Sequence, residues 1–135
     1  MATVLVDSNV LLDILTEDAT WYDWSADALR TEADQSVLVI NPIVYAEVSV
    51  RFERIEELDD ALPRNLFRRD TLPWEAAFLA GKAFVNYRRR RGTRQSPLPD
   101  FYIGAHAAVA GLALLTRDPA RYRTYYPSVE LICPR

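Results

Sequence analysis

The 135-residue chain has a single cysteine, Cys133, a single histidine, His106, and a single lysine, Lys82. One cysteine excludes an internal disulfide and a cysteine-rich metal site. One histidine excludes any mechanism that needs two imidazoles and the usual His–Cys zinc ligand sets. No stretch approaches the ~20 consecutive apolar residues that span a bilayer, so a transmembrane helix is excluded. The start, Met1 to Asp7, lacks the basic residues of a secretory signal and reaches an acid too early for one, which reads as a cytoplasmic protein with no membrane association. Basic charge in excess is missing too. Acids outnumber bases by 19 to 16, so the chain as a whole is not a basic nucleic-acid binder. Whatever chemistry it performs must rest on carboxylates.

Half of the residues are hydrophobic and about a quarter are charged, as in ordinary globular proteins. The length suits one domain over 1–135 with a proper core, and no repeat, low-complexity tract or linker divides it. Thr3 to Val6 is a short apolar run rich in β-branched residues, which predicts a buried strand. Asp7-Ser8-Asn9 offers caps to a helix over Val10 to Leu15. A second helix carries Trp21, Trp24, Ala28 and Leu29. Val37 to Ile40 reads as another buried strand, and Asn41-Pro42 as the cap and first residue of a helix running to about Phe52. The polar stretch from Glu53 to Arg69 predicts a short helix, followed by an edge strand around Leu66 to Leu72. Pro73 opens a long helix with Trp74, Ala77, Phe78, Gly81, Phe84 and Val85 on one apolar face. After a turn-rich loop over Gly92 to Pro99 come a helix from Asp100 to Gly111, a strand from Leu112 to Thr116 and a last strand from Val129 to Ile132. Strands alternating with amphipathic helices predict an α/β fold, a three-layer α/β/α sandwich around a mainly parallel sheet.

Ligands of such sheets bind beyond the carboxyl ends of the strands. Asp7 directly follows the first strand, and Asp118 comes two residues after Thr116. Glu47 falls among Ile43, Val44, Ala46 and Val50 on the apolar stripe of its helix. Asp100 shares a face with Ile103, Gly104, Ala107 and Gly111. A carboxylate turned toward a core is costly unless it is paired, hydrogen-bonded or bound to a metal. Each acid also has a plain structural use: Asp7 and Asp100 as helix caps, Asp118-Pro119 as a turn, Glu47 as partner of a buried arginine. Two acids at strand ends and two on inward helical faces nevertheless suggest convergence. Clustered carboxylates repel unless they share a proton or a cation, and all-oxygen ligands favour Mg²⁺ or Mn²⁺ over Zn²⁺.

The segments Asp7-Ser8-Asn9-Val10-Leu11-Leu12-Asp13, Tyr45-Ala46-Glu47-Val48, Pro97-Leu98-Pro99-Asp100-Phe101-Tyr102-Ile103-Gly104-Ala105-His106-Ala107 and Thr116-Arg117-Asp118-Pro119, in that order, resemble the PIN-domain family. In particular they resemble VapC-type toxins of bacterial toxin–antitoxin pairs. No single segment is specific; the ordered set is, and it extends over essentially the whole chain. The resemblance implies Asp7, Glu47, Asp100 and Asp118 as catalytic metal ligands, with Asn9 and Thr116 as supporting residues. It also implies endoribonuclease activity, inhibition by a VapB-like antitoxin and a homodimer. Many relatives carry Ser or Thr where this chain has Asn41, a change that preserves a helix cap.

Arg88, Arg89, Arg90 and Arg91, with Arg94, form the densest basic run. It is either a solvated helix end that complements the dipole or a phosphate-binding element leading toward Asp100. Arg117 is a candidate either for substrate contact or for pairing with an acid. Trp21, Tyr22 and Trp24 read as half core and half potential partner surface, His106 as packed within its helix, and Asp13 as a surface acid. Two other functions compete. One is a PIN nuclease of housekeeping RNA processing. The other is a non-enzymatic acidic α/β signalling module, which would need a lysine beside its acids, whereas Lys82 falls in mid-helix far from all of them.

Overall fold

Ala2-Thr3-Val4-Leu5-Val6 cannot expose its apolar side chains, and it becomes the central strand β1 (Ala2–Val6), with Val4, Leu5 and Val6 fully buried. The computed structural model describes residues 1–95 and 98–135. The helices α1 (Ser8–Leu15) and α2 (Tyr22–Gln35) lead to β2 (Ser36–Ile40). Then follow α3 (Pro42–Ser49), α4 (Ile55–Ala61) and β3 (Phe67–Arg69). The second half runs α5 (Trp74–Arg89), α6 (Pro99–Ala110), β4 (Ala113–Leu115), α7 (Ala120–Tyr125) and β5 (Leu131–Ile132). The predicted loop over Gly92 to Pro99 and the Pro97 that opens one of the quoted motifs fall partly outside the described residues, at Ser96 and Pro97.

The sheet order is β3-β2-β1-β4-β5 and every pairing is parallel. The chain first winds outward from β1 through β2 to β3, then crosses back to β4 and β5. Right-handed crossovers therefore set α1 to α4 on one face and α5 to α7 on the other. The contacts agree: α1 packs on α2 and α3, and α6 packs on α5 and α7. The α/β/α sandwich expected from the sequence is the one observed. The reversal of winding falls between β1 and β4, the place where such sheets open a crevice at their carboxyl edge.

Three local expectations need correction. α3 ends at Ser49 rather than near Phe52, and Val50, placed on its apolar stripe, is exposed. α7 was not foreseen; at six residues it is too short to show a helical period, yet Tyr122 within it is buried. The face of α5 is also different. Trp74 is 88% and Phe78 64% exposed, while Ala76, Ala80 and Ala83 form the buried stripe. Close approach of α5 to α6 requires small side chains at the seam, so alanines rather than the larger apolar residues take the inner face. Lys82 lies over the outward Phe78 ring at 5.0 Å.

Gly104 on α6 shows how tight the other seam is. A Cβ there would stand 2.3 Å from the Tyr126 ring and 3.0 Å from that of Tyr122. Both rings are pinned by their hydroxyls, Tyr126 donating to Phe101 O at 2.7 Å and Tyr122 to Asp7 Oδ2 at 2.8 Å. Gly104→Ala is expected to destabilise the fold by about 1–3 kcal/mol, as overpacking does. A denaturation midpoint equal to that of the parent would show that the rings yield freely.

Candidate active site at the carboxyl edge of the sheet

Asp7 stands where β1 ends and α1 begins, and its N–H donates to Leu115 O, which ties it to the end of β4. It occupies the cap position of α1 but makes no side-chain cap bond. Its carboxylate, on a residue only 2% exposed, instead accepts from Thr116 Oγ1 at 2.9 Å and Tyr122 OH at 2.8 Å. The Thr116 hydroxyl in turn accepts from Asn9 Nδ2 and from the Asp118 N–H, both at 3.1 Å. A hydroxyl has one proton and two lone pairs, so Thr116 is fully committed, and it joins the ends of β1 and β4. Asn9 also accepts from the Arg117 N–H at 3.3 Å. Thr116 thus holds Asp7 from across the switch point, and Asn9 holds Thr116.

Glu47, half-buried on α3, accepts from Ser8 Oγ at 2.7 Å. A hydroxyl, not the buried arginine considered above, is its partner. Asp100, in the first turn of α6, makes no cap bond and pairs with Arg121 Nη1 at 3.2 Å. Asp118 begins the turn into α7.

The acids feel one another. Burial pushes the Asp7 carboxyl up to about 6; the Tyr122 and Thr116 hydrogen bonds pull it down, and the charge of Asp100 raises it. Glu47 is raised by burial and by the charges of Asp7 and Asp100, against the Ser8 hydrogen bond. Asp100 is raised by burial and by Asp118, against Arg121. The Tyr122 phenol, buried beside Asp7, is pushed well above its ordinary value. Holding these groups ionised together costs free energy that a shared cation removes. Among the described residues, no three His, Cys, Asp or Glu side chains close into a ready ligand cage.

Sequence reasoning does not single out three contributors. Ser8 looked like a helix cap, and Tyr122 and Arg121 lie on the unforeseen α7. The spacing Asp118 to Arg121 to Tyr122 is one helical turn, a signal usable only once a helix is known to start there. Asn41 caps α3 as expected, accepting from the Val44 N–H at 2.9 Å, and its amide nitrogen meets the buried His106 at Nδ1, 3.0 Å away.

Asp13 is not a surface acid. It is 3% exposed and accepts from Ser25 Oγ and Arg117 Nε, each at 2.8 Å. α2 covers it, and Arg117, reaching back from the turn after β4, supplies the charge; Arg117 therefore pairs with an acid. Arg117→Gln is expected to cost about 2–3 kcal/mol in urea unfolding, because it strands a buried carboxylate. Asp13→Asn added to it should recover most of that loss. If the double variant is no more stable than the single, the pairing carries little. In the arginine run, Arg88 turns back to Gly92 O and Arg94 O at 3.1 and 2.8 Å. Arg90 lies over the Tyr125 ring, and all four of Arg88 to Arg91 are exposed.

A family profile described as the PIN domain matches residues 4–125. No curated protein matches the sequence. Among solved structures, VapBC2 of Rickettsia felis, bound to a promoter DNA fragment, superposes with a TM-score of 0.73 at 15% identity, over 98% of this chain and 99% of that one. VapBC-1 of nontypeable Haemophilus influenzae gives 0.72 at 14%, covering 97% of each chain. A toxin–antitoxin complex of Klebsiella pneumoniae gives 0.65 at 20%, covering 98% of each. At these identities the likeness concerns the fold.

Proposed function

The chain belongs to the PIN-domain family, and on that premise we propose that it is a metal-dependent endoribonuclease, the toxin of a VapBC-type toxin–antitoxin pair. What supports this reading is that acids at the carboxyl edge of the sheet lie within reach of one another's charge: Asp100 raises Asp7, Asp7 and Asp100 raise Glu47, and Asp118 raises Asp100. An all-oxygen donor set whose members repel one another fits Mg²⁺ or Mn²⁺. These four residues would hold the ion, which supplies charge neutralisation at a phosphodiester and an activated water.

The protein's own groups do the positioning. Thr116 and Tyr122 orient Asp7, Asn9 orders Thr116, and Ser8 orients Glu47. Arg121 offsets the charge of Asp100. The toxin reading is favoured over housekeeping RNA processing because the similar structures are toxin–antitoxin complexes. A VapB-like antitoxin, a homodimer and a cytoplasmic RNA target follow from the same reading. It agrees with the finding that no described helix is long and apolar enough to cross a membrane.

The test is cleavage of a mixed RNA pool by purified protein with Mg²⁺, Mn²⁺ or chelator. Cleavage that chelator abolishes is the expected result; a folded protein that leaves every RNA intact with both ions overturns the catalytic reading. Growth arrest on expression, relieved by the product of an adjacent gene, separates a toxin from a processing enzyme.

A further inference from the structure

Between the end of α5 and α7 lies a cleft of about 370 Å³, with Asp100 and Asp118 at one side and Arg90, Arg121, Tyr87 and Tyr125 lining the rest. Both cations are held over aromatic rings: the Arg90 guanidinium lies 5.8 Å from the centre of Tyr125, and that of Arg121 lies 6.0 Å from Tyr87 and 5.8 Å from Phe101. A guanidinium stacked on a ring loses little freedom when it binds, and its fork matches the oxygens of a phosphate. Arg121 already bridges to Asp100. Arg90 has no carboxylate partner among the described residues, although it stands in a cleft with two acids.

Of the arginine run, Arg90 alone lines this cleft. Arg88 is engaged with backbone carbonyls, and Arg89 and Arg91 do not line the cleft. We propose that this cleft seats the RNA strand flanking the scissile bond, with Arg90 and Arg121 as its phosphate contacts. The proposal rests on the reading that the chain cleaves RNA, and adds to it where the strand lies. A site built of acids repels a polyanion, so the strand needs fixed positive charge next to them. These two arginines supply it on the side of Asp100 and Asp118. Phosphate contacts of this kind set register without reading sequence.

The experiment is equilibrium binding of a short, fluorescein-labelled, mixed-sequence single-stranded RNA by fluorescence anisotropy, with Ca²⁺ in place of Mg²⁺, over a range of salt. Arg90→Gln is expected to weaken binding about ten-fold, the size of one charged contact, and to lower the salt slope by about one. Arg89→Gln and Arg91→Gln, each removing the same charge outside the cleft, should change it by less than about two-fold. Arg90→Gln binding as tightly as the parent overturns the cleft while leaving the nuclease reading intact. Equal losses in all three variants also overturn it, in favour of diffuse attraction. No RNA binding by the parent protein would overturn the nuclease reading and the cleft with it.

Discussion

Asp7→Asn is expected to reduce metal-dependent RNA cleavage at least about 100-fold while leaving the far-ultraviolet circular dichroism unchanged. Even changes to residues around metal ligands cost about 10–100-fold, and a carboxylate inside the cluster should cost more. The substitution is nearly isosteric. With the amide oxygen in the place of Oδ2, it still accepts from both the Thr116 and the Tyr122 hydroxyl. What disappears is one negative charge at the junction of β1 and β4. Asp100→Asn should behave similarly from the other side, with the added loss of its ion pair to Arg121. Gel-resolved initial rates with Mg²⁺ and with Mn²⁺ decide the matter. Activity in either variant within a few-fold of the parent (about 3-fold, or 0.6 kcal/mol of barrier) would mean that the four acids are not the reactive centre.

Removing divalent ions should make the protein less stable as the pH rises from about 4 to about 6.5, opposite to the usual behaviour of a paired carboxylate. The sign follows from Asp7. Its folded pKa of about 6 lies above the ordinary 3.8 that holds in the unfolded chain. Between those values the folded state holds a proton that the unfolded state has released, so stability falls through this window and is level outside it. That difference corresponds to about 3 kcal/mol. Glu47 and Asp100 are raised as well and act in the same direction. His106 acts oppositely: burial lowers its pKa, so its contribution is lost as pH falls. The informative quantity is thus the difference between parent and Asp7→Asn, measured by urea unfolding in chelator across this range. The variant should lack most of the decline and be the more stable protein at pH 7. Parallel curves would mean that Asp7 ionises in the folded state at no cost. Adding Mg²⁺ at pH 7 should restore the parent selectively.

Much of this candidate site is readable from residue order. Thr3 to Val6 and Val37 to Ile40 have no partner for their apolar side chains except a sheet core. An acid placed immediately after such a strand has few places to point. Asp7 and Asp118 were legible for that reason, and Glu47 and Asp100 because a carboxylate on an apolar helical face invites explanation. The hydroxyls of Ser8 and Tyr122 are not legible, and Thr116 is legible only through the family resemblance. Ser8, Thr116 and Tyr122 each act through a bond to a residue far away in sequence, or, for Ser8, across to α3; local chemistry assigns a serine after a strand to capping. The inner face of α5 misled for a different reason. Large apolar residues dominate any hydrophobic pattern, yet where two helices touch closely the seam selects alanine, and Trp74 and Phe78 are left outside. Asp13 was misplaced because its partner, Arg117, lies on the opposite end of the chain.

The cap of α3 fixes something finer than a helix start. An amide side chain has one oxygen and one nitrogen, and the oxygen of Asn41 is held by the Val44 N–H. The nitrogen is therefore the atom that faces His106 Nδ1. Two donors cannot face each other across 3.0 Å, so Nδ1 carries no hydrogen, and the single proton of the neutral imidazole resides on Nε2. A second proton on this ring would have to evict the amide, and turning the amide would release the first turn of the helix that carries Glu47. The tautomer of the only histidine is thereby written by a helix cap.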